Sequence, residues 1–233
     1  MQTSYSTDFP LTENPVSEDG IWVAPSGSVW TKRMRTSGGI LLPDPDAASY
    51  DDCLAVLDPT KFNLGPTQTI TWTAFVGGAM GDSEFETHLR TAADTTPIAD
   101  GTKLFTYECT VVGNNNSGFA KWFGVQGDFV ILTFTSDTNG VPHDGIENGD
   151  KFQVSISGTS LVTIQIHHKK ASEGFATSYL ISECQDSTAI SASLGVPSAF
   201  QSPYQSGTCG HGGDNVGAQA GNFGASHTDI ATS

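Results

Sequence analysis

Glu84 and Glu86 stand two apart in the run EFETHLRT, residues 84–91. In an extended strand, residues i and i+2 leave the same face. Two carboxylates on one face of a sheet can hold a general acid and a nucleophile about 5 Å apart, as glycan cleavage with retention requires. His88 and Arg90 continue the row and add hydrogen-bond donors that a sugar could use. No third acid is evident on a neighbouring strand. The expected role of the row is therefore a solvated charged face, with catalysis by Glu84 and Glu86 as the lesser alternative.

A second candidate lies in the segment 137–150. Asp137, Asn139, Asp144, Glu147 and Asp150 place oxygen side chains among glycines. That chemistry suits a hard cation such as Ca²⁺, which takes six to eight oxygen ligands. The spacing is not that of an EF-hand, and Asp and Asn also build turns without any metal. No cofactor is required on this reading, and Ca²⁺ is an optional one. His167 and His168 are adjacent on a strand, so their rings face opposite sides and cannot chelate one ion together. Among the aromatics, Trp122 follows an Asn-rich loop and is expected to be partly exposed. With Tyr107, it could stack on a sugar ring. Trp72 reads as core from its alternation. Serine-hydrolase, nucleotide-phosphate and zincin motifs are absent.

The elements that must position these groups are strands. Residues 68–76, 84–91, 104–112, 128–136, 151–157 and 161–168 alternate apolar and polar side chains and are rich in Thr, Val, Ile and Phe. Gly77-Gly78, Asn139-Gly140, Asn148-Gly149 and Ser157-Gly158 supply turn residues between them. The run 151–157, then Gly158-Thr159, then 160–166, predicts a hairpin. Helical periodicity is nearly absent, with Ala47–Val56 its best candidate. Strand follows strand without helices, which predicts an all-β antiparallel β-sandwich.

The chain has 233 residues and a net charge of −15, from 10 Lys+Arg against 25 Asp+Glu. That charge repels phosphate backbones, so nucleic acid is not an expected partner. The longest apolar runs are too short for membrane insertion. No signal peptide is visible at the N-terminus. Cys53, Cys109, Cys184 and Cys209 form no C-x-x-C pair. They read best as buried free thiols, with one or two disulfides as the alternative. The expected organisation is an N-terminal arm or first strand over 1–20, a sandwich over 21–206, and a Gly-rich segment over 207–233 with room for a last strand. Both ends are expected to be irregular, and the Gly-rich segment is expected to be a loose arm or one that orders on a neighbour.

The order of motifs resembles the concanavalin A-like lectin/glucanase jelly rolls of phage structural proteins and secreted bacterial proteins. Asp8-Phe9, Asn14-Pro15 and Gly20-Ile21-Trp22 look like the family's opening. Glu84–Arg90 resembles its strand with Glu and Arg on one side. Gly149-Asp150-Lys151-Phe152 resembles a strand start, and 160–166 its Thr-Leu-Thr-Val strand. The stretch from Asp186 to Gly195-Val196-Pro197 resembles the segment before the last strand, although its second Gly is missing. The last strand would be 222–226. The Glu-x-Asp-x-x-Glu pattern of laminarinase-like enzymes is absent. The resemblance spans about residues 8–230 and brings no catalytic residues with it.

Such a jelly roll implies glycan binding, glycan cleavage or virion architecture. The expected function is a non-enzymatic virion surface protein (a decoration, fibre or tail-associated subunit) with glycan adhesion as an added role. Its partners would be other copies of itself, other virion proteins and glycans, at the virion surface or outside the cell. A lectin-like module is the alternative, followed by a glycan-cleaving enzyme.

Overall fold

The computed structural model describes residues 1–25, 33–44, 53–76, 84–95, 98, 101–112, 117–125, 127–136, 146–214 and 218–226. Within them the chain runs through β1 (Ser4–Thr7), β2 (Trp22–Val23), β3 (Met34–Ser37), β4 (Ile40–Pro43), β5 (Cys53–Leu57), β6 (Gln68–Val76), β7 (Glu84–Ala93) and β8 (Leu104–Val112). It continues through β9 (Ser117–Gly124), β10 (Phe129–Ile131), β11 (Phe134–Ser136), β12 (Lys151–Ser157), β13 (Leu161–Lys169) and β14 (Tyr179–Ser187). One short helix, α1 (Thr188–Ser193), precedes β15 (Thr208–Asp214) and β16 (Ala218–Ser226).

These strands make two antiparallel sheets, so the all-β sandwich expectation is borne out. One sheet has the order β11-β14-β13-β12-β6-β16-β4-β3, with β1 also paired to β16. The other has the order β10-β9-β8-β7-β15-β5-β2. The alternation of β6 and β12 sends Ile70, Trp72 and Ala74, and Phe152, Val154 and Ile156, into the space between the sheets. Phe85 and Leu89 of β7 meet them from the other side. Trp72 stacks against both Phe85 (4.5 Å) and Phe152 (4.4 Å), which joins the sheets at their centre. Each such side chain contributes about 1.5–3 kcal/mol of burial.

Several local expectations change. Residues 53–57 form β5, so the best helical candidate, Ala47–Val56, is a strand where it is described. Alternation is missing from that strand because all five residues, Cys53 to Leu57, are buried on both faces. The run 128–136 is two strands in different sheets, with Leu132 fully buried at the crossing. The Gly-rich segment is not a loose arm over its described part. β15 lies between β7 and β5, and β16 lies between β6 and β4. All four cysteines are free and buried. Among the described residues, no helix is long and apolar enough to cross a membrane.

Candidate functional site

β7 sends Phe85, Thr87 and Leu89 inward and Glu86 and His88 to the opposite, outer face of the seven-stranded sheet. The expected solvated row is not solvated. Glu86 is 3 % exposed and His88 0 %. The adjoining strand does carry an acid, contrary to expectation, because register sets Glu108 of β8 directly opposite His88. Glu86 Oε2 lies 3.4 Å from His88 Nε2. One ligand atom from each of Glu86, His88 and Glu108 falls within 4.8 Å of the others.

β9 and β10 complete the site. Ala120 lies opposite Glu108, and Trp122 and Ile131 follow in register from β9 and β10. Phe129 pairs with Trp122, their ring centroids 4.7 Å apart. The Trp122 indole N–H donates to Glu108 Oε2 (2.6 Å), and the Thr110 hydroxyl donates to Glu108 Oε1 (3.1 Å). The resulting cleft encloses about 470 Å³ between Glu84, Glu86 and Glu108 on one side and Trp122, Phe129 and Ile131 on the other. Chemically it offers acceptors beside an apolar wall. Two carboxylates this close repel unless a proton or a cation lies between them. Two carboxylates with one imidazole suit a divalent cation that accepts mixed oxygen and nitrogen ligands.

The other expected residues lie elsewhere. Trp122 is 5 % exposed, so only its edge reaches the cleft, against the expected partial exposure. Tyr107 is fully buried between the sheets and donates its hydroxyl to Asp186 Oδ2 (2.6 Å). Burial, Asp186 and that bond push its pKa far above the usual tyrosine value. Arg90 leaves the row at a β-bulge between Leu89 and Ala92, where its φ is +51°. Its guanidinium is buried and donates to the carbonyls of Pro66, Tyr204 and Gly158. Burial lowers its pKa to about 10, so it stays charged at neutral pH.

Of the acidic segment, Asp137, Asn139 and Asp144 lie outside the described residues. Glu147 is exposed. Asp150 is fully buried and its oxygens accept from His168 Nε2 (2.8 Å) and from the backbone N–H groups of Ala171 (2.8 Å) and Glu147 (2.9 Å). It therefore fastens a turn. Glu108, Phe129 and Ile131 were not singled out by sequence reasoning. Alternation along β8 places Thr106, Glu108 and Thr110 on one face, but only the strand register brings that face beside Glu86.

The chain matches no protein-family model and no curated protein. Solved structures do resemble it. A Bacillus subtilis protein of unknown function with a galectin-like fold is 8% identical, covers 97% of each chain and has a TM-score of 0.53. A β-porphyranase from the human gut bacterium Bacteroides plebeius is 8% identical over 97% of this chain and 91% of its own, with a TM-score of 0.50. The CBM2 module of the evolved Dit of Lactobacillus casei BL23 phage J-1 is 12% identical over 98% and 99%, with a TM-score of 0.49. At these identities the likeness is one of fold. The fold is a concanavalin A-like jelly roll.

Proposed function

We propose that this protein is a carbohydrate-binding jelly roll that holds a glycan without cleaving it, on the outside of a particle where it packs with copies of itself or other virion proteins. The observation that carries the reading is the cleft over β7–β10, where an apolar wall faces carboxylates. A pyranose presents the matching pair of surfaces, C–H faces for a ring to stack on and hydroxyls to donate. Phe129, 39 % exposed, and Ile131, 58 % exposed, supply the wall. A divalent cation at Glu86, His88 and Glu108 would relieve the carboxylate repulsion and keep coordination positions open to sugar hydroxyls. The particle setting draws support from the outer face of the nine-stranded sheet. Thr69, Thr71, Ser155 and Thr163 there are short and neutral, and lose little freedom when a neighbour packs on them.

Limited access supports binding without cleavage. A nucleophile must touch the anomeric carbon, and Glu86 is almost wholly covered. One observation favours cleavage instead: oxygens of Glu86 and Glu108 lie within 4.8 Å, close to the roughly 5 Å of a retaining pair.

A glycan array read with Ca²⁺ or Mn²⁺, and again with chelator, tests the reading. At least one neutral glycan should be retained, about tenfold more weakly after Phe129→Ala, and less with chelator present. Silence across the array with either cation sinks the binding reading. Release of reducing ends that disappears in both Glu86→Gln and Glu108→Gln would establish cleavage in its place. The particle setting fails if mass spectrometry of purified particles from the source never finds this chain.

A further inference from the structure

The opposite face of the molecule carries a different kind of pocket. On the outer face of the nine-stranded sheet, a concavity of about 290 Å³ is lined by Thr71, Thr73, Lys151, Gln153, His167 and Lys169, with Asn222 at its border. None of its lining residues is acidic, on a chain with 25 Asp+Glu and only 10 Lys+Arg. Two of the scarce cations meet here by register. Lys151 of β12 lies directly opposite Lys169 of β13, and Gln153 lies opposite His167 in the next pair on that face. Among the described residues, neither Lys151 nor Lys169 is ion-paired. Like charges directly opposite on neighbouring strands destabilise a sheet. The arrangement therefore carries an electrostatic cost that no acidic partner among the described residues offsets.

The backbone supplies a second observation. Two strand irregularities involve residues that line the hollow, His167 and Asn222. β16 breaks register between Gly221 and Gly224, and β13 breaks register against β14 between Ile166 and His167. Bulges re-aim side chains and gather beside binding sites. Asn222 sits in the first bulge at φ +47° and directs its amide to the Thr73 hydroxyl (3.5 Å). Phe175, at φ +62°, lies under Lys151, whose ammonium is 4.2 Å from the ring centroid. Asn222, a non-glycine residue in the left-handed region, thus borders the pocket itself, and backbone of that kind gathers where ligands are held.

We propose that Lys151, His167 and Lys169 form a second binding site, for the sulfate or carboxylate group of an acidic glycan. The two ammonium groups would flank the oxyanion, and Gln153, Thr71 and Asn222 would donate to its oxygens and to sugar hydroxyls. The site is on the other sheet from the cleft, so it stands or falls independently of that reading. An anionic ligand would also cancel the Lys151–Lys169 repulsion, which explains why its cost is tolerated.

The test uses the full chain against immobilised dextran sulfate, polygalacturonate and unmodified dextran, at low and at raised salt. One or both acidic polymers should be retained more strongly than dextran, with retention falling as salt rises. The variant Lys151→Gln/Lys169→Gln should weaken that retention about tenfold, while Lys103→Gln, at an exposed lysine outside both sites, leaves it unchanged. The same double variant should melt close to the parent, because the repulsion it removes offsets the Lys151–Phe175 contact it also loses. Preference for sulfate alone or for carboxylate alone would name the group. Retention of acidic polymers no better than dextran, or undiminished in the double variant, overturns the site.

Discussion

His211 is fully buried, with Trp72 and Phe223 around its ring. Burial, and then the nearby His88, push its pKa down from 6.5 to about 3. The unfolded chain takes up this proton near the ordinary value, while the folded chain resists it until far lower pH. Over that window the unfolded state binds more protons, so stability falls as pH falls. Each unit of pH within it removes up to about 1.4 kcal/mol. Asp150 adds to the loss further down. Its burial alone would raise its pKa, but the bonds from His168, Ala171 and Glu147 outweigh that and hold it below the usual value. The melting temperature should therefore drop steadily from pH 7 towards pH 4, and less steeply in His211→Phe. Identical slopes in the two proteins would show that another group is responsible. At this scale the Glu86–His88 spacing is readable from alternation alone. Glu108 is not, because pairing register is a property of two strands. Nor is the departure of Arg90, which depends on a bulge that no residue type announces.

Strands with unbroken alternation were legible to the residue. β6, β8 and β12 have the bounds that their patterns predict, and β13 runs one residue further. What misled was glycine. In β15, Gly210 and Gly212 occupy the outer face between β5 and β7, where a side chain has no room. A Cβ on Gly212 would stand 2.4 Å from the Cys53 carbonyl oxygen and 2.8 Å from Glu86 Oε2. One on Gly210 would stand 2.7 Å from the Ala55 carbonyl oxygen. These glycines are a close-packed strand whose neighbours' side chains fold over it. Composition resembles that of a linker, and only the tertiary neighbours distinguish the two. Gly212→Ala should cost about 1–3 kcal/mol and perturb the cleft through Glu86. Gly118→Ala, whose nearest neighbour is Thr110 Cβ at 3.9 Å, should be near neutral by thermal melting. Equal melting temperatures for the two variants would contradict the packing described for β15.

Across the whole molecule, the sheets are joined by more than apolar contact. Lys121 of β9 reaches Asp186 of β14 at 2.9 Å, and its ammonium also donates to Ser191 of α1 at 2.8 Å. Both charges are fully buried. Removing one partner from such a pair leaves an uncompensated charge inside the protein. The two outer faces differ in the charge that their hollows present. The carboxylate cleft lies on one outer face and an acid-free basic pocket on the other.

The position of the two glycine-bearing strands has a temporal consequence. β15 and β16 come after all the other described strands in sequence, yet each lies between strands made much earlier. Until β15 and β16 are made, β5 and β7 lack the strand that joins them in the folded sheet, and so do β4 and β6. Open strand edges of that kind recruit other chains, and closure over such sequence distances is slow. A chain ending at Ser206 should scatter light as aggregate, whereas the full chain stays dispersed; a dispersed, cooperatively melting truncation would refute this. The sandwich is thus closed by β15 and β16, after its other described strands have been made.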